Sequence, residues 1–166
     1  AAANVRSLNT LVGHLDSLRQ AATKLKNSDF TPGNTLANWL ATKTGDPRRT
    51  NFEKSANAVE GEAATLFKGT SGTDQEIKQW RATIDSSQSP QQLSEGIEQM
   101  LELMFSRLDA LNSQYETGMG KPKDFKFLND KSRKILQGMG IDTAALEVPR
   151  CSHRHPAAVR RLTHFG

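Results

Sequence analysis

From Leu8 the apolar positions run Leu8, Leu11, Leu15, Leu18, Ala22 and Leu25, alternately three and four residues apart. That spacing returns side chains to one side of an α-helix and matches the a/d seam of a coiled coil. The seam is short, so it suits packing inside a bundle as well as pairing between chains. In the second case Leu11, Leu15 and Leu18 are candidate assembly-interface residues. A turn signal at Thr31-Pro32-Gly33 closes this helix and opens a short one, since proline at a first helical position loses only an N–H that has no intrahelical partner. Leu36, Trp39 and Leu40 share a face of that second helix. Thr44-Gly45-Asp46-Pro47 stops it, and Thr50-Asn51-Phe52-Glu53 reads as a capping box that starts the next, with the stripe Phe52, Ala56, Val59, Ala63 and Leu66.

Gly69 to Gly72 form a break, and Thr73-Asp74-Gln75-Glu76 is a second capping box leading into Ile77, Trp80 and Ile84. Ser89-Pro90-Gln91-Gln92 is the clearest start in the chain, with a serine cap, proline at the first position and glutamine at the third. The helix that follows carries Leu93, Ile97, Met100, Met104, Leu108, Leu111 and Tyr115, and Leu101, Phe105 and Ala110 widen its stripe. A stripe of that width covers two neighbours rather than one, which makes Leu101, Met104, Phe105 and Leu108 further candidates for an assembly interface. Gly118-Met119-Gly120-Lys121-Pro122 ends the helix. The link Asp124-Phe125-Lys126-Phe127-Leu128 alternates polar and apolar and reads as extended, but it is too isolated to found a sheet. A last helix starts near Asn129, carries Ile135 and Leu136, and closes at Gly138-Met139-Gly140-Ile141 in a Schellman arrangement. The expected fold is therefore all-α: a bundle of about five to six helices, with one long helix over about 90–117. Residues 1–147 form the helical body, and 148–166 a basic, irregular tail.

Composition sharpens this picture. Hydrophobic residues make up 36% of the 166 and aromatic residues 6%, with a mean hydropathy of −0.61, so much of the surface is wet or faces partners. No apolar run reaches the roughly 18 residues a membrane span needs. The single cysteine, Cys151, excludes an internal disulfide framework. The net charge of +4 is unevenly placed. All 18 acidic residues lie at or before Glu147, whereas Arg150, Arg154, Arg160 and Arg161 follow it, so the surplus belongs to the tail and the body is neutral. Those four arginines are candidate nucleic-acid contacts, against the plainer reading of a solvated terminus.

The chain offers little for catalysis. Cys151-Ser152-His153-Arg154-His155, with His164 further on, is the one run of metal-capable side chains, but its arginines repel a cation and no framework supplies four ligands, so no cofactor or metal is expected. His14 falls between seam positions Leu11 and Leu15 and reads as a surface or helix-interface side chain. Neither phosphate-loop glycine pattern occurs, and no Gly-x-Ser-x-Gly elbow presents a serine. Glu60 with Glu62, and Glu95 with Glu98 and Glu102, read as solvated helix faces in the absence of a cleft that shifts one of them. Trp39 and Trp80 read as core anchors, and Met100 and Met104 beside Phe105 as core before binding face. A non-enzymatic protein is expected.

The run from Ser89-Pro90 through the long helix to Tyr115, then Gly118-Met119-Gly120-Lys121-Pro122 and Asp124-Phe125-Lys126-Phe127-Leu128, resembles helical segments of structural proteins of tailed bacteriophages, of the internal or ejection (DNA-transfer) type. The similarity covers about residues 50–142 and rests on arrangement rather than on a diagnostic motif. It implies a multi-copy virion component that contacts itself or other virion proteins near portal, tail or genome, and it carries no catalytic residue. The residues alone leave two other readings open: a helical protein that touches nucleic acid through its basic tail, and a bacterial helical module that binds another protein through its grooves.

Overall fold

The structure is a computed structural model, which describes residues 2–25, 35–68, 73–119 and 128–144, with side chains placed over 5–25, 35–68, 74–107 and 128–144. It is all-helical, with six helices in the described residues: α1 (Ala2–Thr23), α2 (Leu36–Thr42), α3 (Pro47–Leu66), α4 (Thr73–Asp85), α5 (Pro90–Met119) and α6 (Asp130–Gly138).

The leucine seam is core. Leu8, Leu11, Leu15, Leu18 and Leu25 are all buried, together with Val12 and Ala21, and α1 packs along its length chiefly on α3, whose Phe52, Ala56, Val59 and Ala63 are fully enclosed. Ala56 and Ala63 keep the buried face of α3 low where α1 packs on it. Around this pair sit α5 and α6, both on α1, while α4 packs between α3 and α5. Leu93, Met100 and Met104 of α5, Ile84 of α4 and Leu136 of α6 complete one continuous core. Trp39 and Trp80 are 2% and 4% exposed, as core anchors should be.

Two helix starts differ from the sequence expectation. The second helix opens at Thr35, whose hydroxyl accepts from the Asn38 N–H, and the Thr31-Pro32-Gly33 signal lies outside the described residues. The third opens at Asp46-Pro47, its cap four residues before the Thr50 that heads the expected box. The Asp46 carboxylate accepts from the Arg48 N–H at 2.8 Å and Pro47 takes the first position, while Thr50 is already inside the helix, its N–H bonded to the Asp46 carbonyl. The stop after α2 is where the sequence places it, with α2 ending at Thr42, and the Asp-Pro pair has a second role as well. The same residues that end one helix cap the next, because proline there loses a donor that has no partner. At α4 the side chain of Thr73 lies outside the described residues, and Glu76 gives its carboxylate to Arg107.

The other termini follow expectation. Ser89 caps α5 through the Gln92 N–H, and the Gln92 side chain reaches back to the Gln88 N–H, one residue earlier than a standard box. Asn129 caps α6 through the Ser132 N–H. At its other end the Ile141 N–H bonds to the Leu136 carbonyl and the Gly140 N–H to the Gln137 carbonyl, with Gly140 at φ +79°, which is the Schellman pattern. Any residue with a Cβ would be strained there. The link 121–127 and the boundary at 147/148 lie outside the described residues. No helix among the described residues is long and apolar enough to cross a membrane.

Candidate functional site

Polar chemistry in the described residues concentrates at helix junctions, where arginines from one element reach carboxylates of another. Arg81 on α4 donates to Glu60 of α3 at 3.1 Å and to the Asn57 side chain at 3.0 Å, while its Nε holds Asp85 one turn along its own helix. Arg107 on α5 donates to Glu76 in the first turn of α4 at 2.6 Å and lies over the ring of Phe67, 5.9 Å from its centroid, at the end of α3. A third arginine, Arg48, pairs with Asp46 and stands over Trp39 of α2 at 5.5 Å. Its side-chain and backbone donors hold the Asp46 carboxyl below its ordinary range.

The α4/α5 crossing rests on a further contact. The Trp80 indole N–H donates to the Gly96 carbonyl at 2.8 Å, and a Cβ at Gly96 would come 2.9 Å from Ile84 Cδ1. A side chain at 96 would therefore press on the terminal methyl of Ile84. The N-terminus of α2 is tied to the same end of the bundle by the Leu36 N–H, which donates to the Ser87 carbonyl at 2.8 Å. At the other side the Asn9 side chain of α1 accepts from the backbone N–H of Asn129 at 2.9 Å and so positions the start of α6.

The structure redistributes the residues singled out in the sequence. Leu11, Leu15, Leu18, Leu101, Met104 and Phe105 are 0%, 0%, 0%, 4%, 0% and 8% exposed. They are covered by the chain's own helices, so as a free assembly surface the six have to be withdrawn: the width of the α5 stripe is taken up by α1 and α4 of the same chain. The side chain of Leu108 lies outside the described residues, as do Arg150, Arg154, Arg160, Arg161 and the Cys151 to His155 run. His14 is half-buried on α1. Of the paired carboxylates, Glu60 serves as a helix tie to Arg81.

What the sequence reading passed over is the set of ties through Arg81 and Arg107. The Arg81 to Asp85 step of four residues was visible; partners 21 and 31 residues away, Glu60 and Glu76, were not. Among the described residues no three neighbouring His, Cys, Asp or Glu side chains are placed to hold a metal ion.

No family model, no curated protein and no solved structure matches the chain.

Proposed function

We propose that the chain is a non-enzymatic structural and assembly component of a phage particle, present in repeated copies and associated with portal, tail or genome ejection. One observation carries the reading. α5 is 30 residues long, about 45 Å at 1.5 Å per residue, and it runs antiparallel to α4. Arg107 reaches Glu76 in the first turn of α4 and Phe67 at the end of α3. The backbone of α5 continues helical to Met119, three more turns or about 18 Å past Arg107. On this reading the stretch of α5 beyond Arg107 is a contact arm for a larger assembly. The ties through Arg81 and Arg107 support the same reading, since they use charged side chains to fix helices to each other and so hold the arm in place.

Mass spectrometry of purified particles tests the proposal, with the chain expected in stoichiometric amounts. Its absence from every particle, or a substrate turnover abolished by one point change, defeats it. A second reading has an observation of its own: the whole net charge of +4 lies in the last residues of the chain, where four arginines follow the final acid. On that reading the tail touches nucleic acid, which is compatible with a position beside a packaged genome.

A further inference from the structure

Within the neutral body the charge is segregated. α5 carries five acids and one arginine, whereas residues 121–134 carry six Lys and Arg and two Asp. The described outer ridge of α5 comprises Gln91, Glu95, Gln99, Glu102 and Ser106, all exposed. α6 presents the opposite character. Ser132 and Leu136 face α1 and the core, and Lys131 and Lys134 are exposed on the far side. Between those two faces lies a shoulder where the four-residue steps from Lys131 to Ile135 to Met139 place two apolar side chains, both only half-buried, in line with a lysine. Ile141, just past the cap, is half-buried as well.

We propose that this basic and apolar shoulder of α6 docks the acidic outer ridge of α5 in a second copy, head to tail. The inference rests on the assembly reading above and specifies the contact. Charge complementarity selects the occupant: a second copy brings the ridge that bears Glu95 and Glu102 to Lys131 and Lys134, and Ile135 and Met139 give the contact an apolar centre. Each copy has one face of each kind, on two helices that are anchored separately on α1. A contact that joins unlike faces is heterologous, so it propagates to a ring or a filament instead of stopping at a two-fold dimer.

The test uses the full chain and reads mass by light scattering and sedimentation across a concentration series. Wild type is expected to self-associate at low salt, where the Debye length is about 30 Å at 0.01 M, and to dissociate toward monomer near 1 M, where it is about 3 Å. Lys131→Glu with Lys134→Glu should weaken association about tenfold or more, and so should Glu95→Lys with Glu102→Lys, each with an unchanged helical spectrum. Mixing the two variants should restore the full series with the two kinds of copy alternating, because each face of one variant is then complementary to a face of the other. All four changes in one chain should restore the full series. A wild type that stays monomeric, association that resists the α6 changes, or a mixture no tighter than its parts overturns the proposal. Particle content separates the two levels: a monomer still found in particles removes this contact and leaves the assembly reading standing, and self-association without particle incorporation does the reverse.

Discussion

Gly96 is the residue on which the α4/α5 crossing turns. Its missing side chain admits Ile84, and its carbonyl receives the Trp80 indole. Two effects compete on substitution by alanine: a better helix former gains up to about 1 kcal/mol, and overpacking against a fully buried isoleucine costs about 1–3 kcal/mol. Because the new methyl would stand 2.9 Å from the Ile84 Cδ1, overpacking is expected to win, and Gly96→Ala should lower stability in a urea melt. Ile84→Val removes that methyl carbon, so the double variant should recover part of the loss; a cycle with no coupling would show that the crossing has slack. Asp46 gives a pH-dependent counterpart. Its folded carboxyl titrates below its ordinary value of 3.8 because the Arg48 side chain, and then the Arg48 N–H, hydrogen-bond to the ionised form. A group depressed on folding binds protons more readily unfolded, so its contribution is present above the ordinary value and lost as pH falls through the lowered one. The stability gap between wild type and Asp46→Ala should therefore be full at pH 7 and shrink below about pH 4. A gap independent of pH would assign the effect to helix capping by geometry alone.

Among the elements, α1 carries the most packing, and its seam decides whether the molecule stands alone. Leu15 and Leu18 are both 0% exposed. Leu15→Asp places an unpaired charge inside the core, which should cost about 4 kcal/mol or more, a large part of the 5–15 kcal/mol that holds a typical domain together. Loss of the helical signal in the monomer by circular dichroism is the expected outcome. A variant that stays folded but changes oligomeric state would return the seam to an interface. The periodic stripes of Phe52 to Leu66 and Leu93 to Phe105 were legible because burial enforces the 3.6-residue repeat, and the caps at Ser89 and Asn129 because their side chains act on their own helix. Less legible was which neighbour a stripe would face. The width of the α5 stripe signalled two partners, yet nothing in it distinguished α1 and α4 of the same chain from another subunit. At Asp46-Pro47 the stop was legible and the cap was not, since a residue pair that ends one helix and caps the next gives the same signal for both. The long-range arginine ties to Glu60 and Glu76 have no local signature at all.

For the whole molecule, the surplus of charge is placed apart in sequence from the packed core. Every buried core side chain among the described residues precedes residue 137, and beyond it Thr143, 3% exposed, is bonded to the Gln137 side chain. The four arginines beyond Glu147 are thus remote in sequence from the packing that holds the body together. Deleting Val148 to Gly166 should leave the urea midpoint and helical content nearly unchanged while removing the entire net charge of +4. On duplex DNA each phosphate contact contributes roughly 0.9 to the log–log salt slope, so four arginines account for a slope of at most about 3–4. If the tail is the contact, fluorescence anisotropy should show weak binding by the full chain, with a slope of that order, and a truncated chain whose affinity and slope both collapse. Two results would redirect the assignment. Binding that survives truncation would move the DNA contact to the basic stretch 121–134, which the tail deletion leaves intact. A sharp fall in the urea midpoint would mean instead that the apolar residues of the tail, Leu162 and Phe165, contribute to the core.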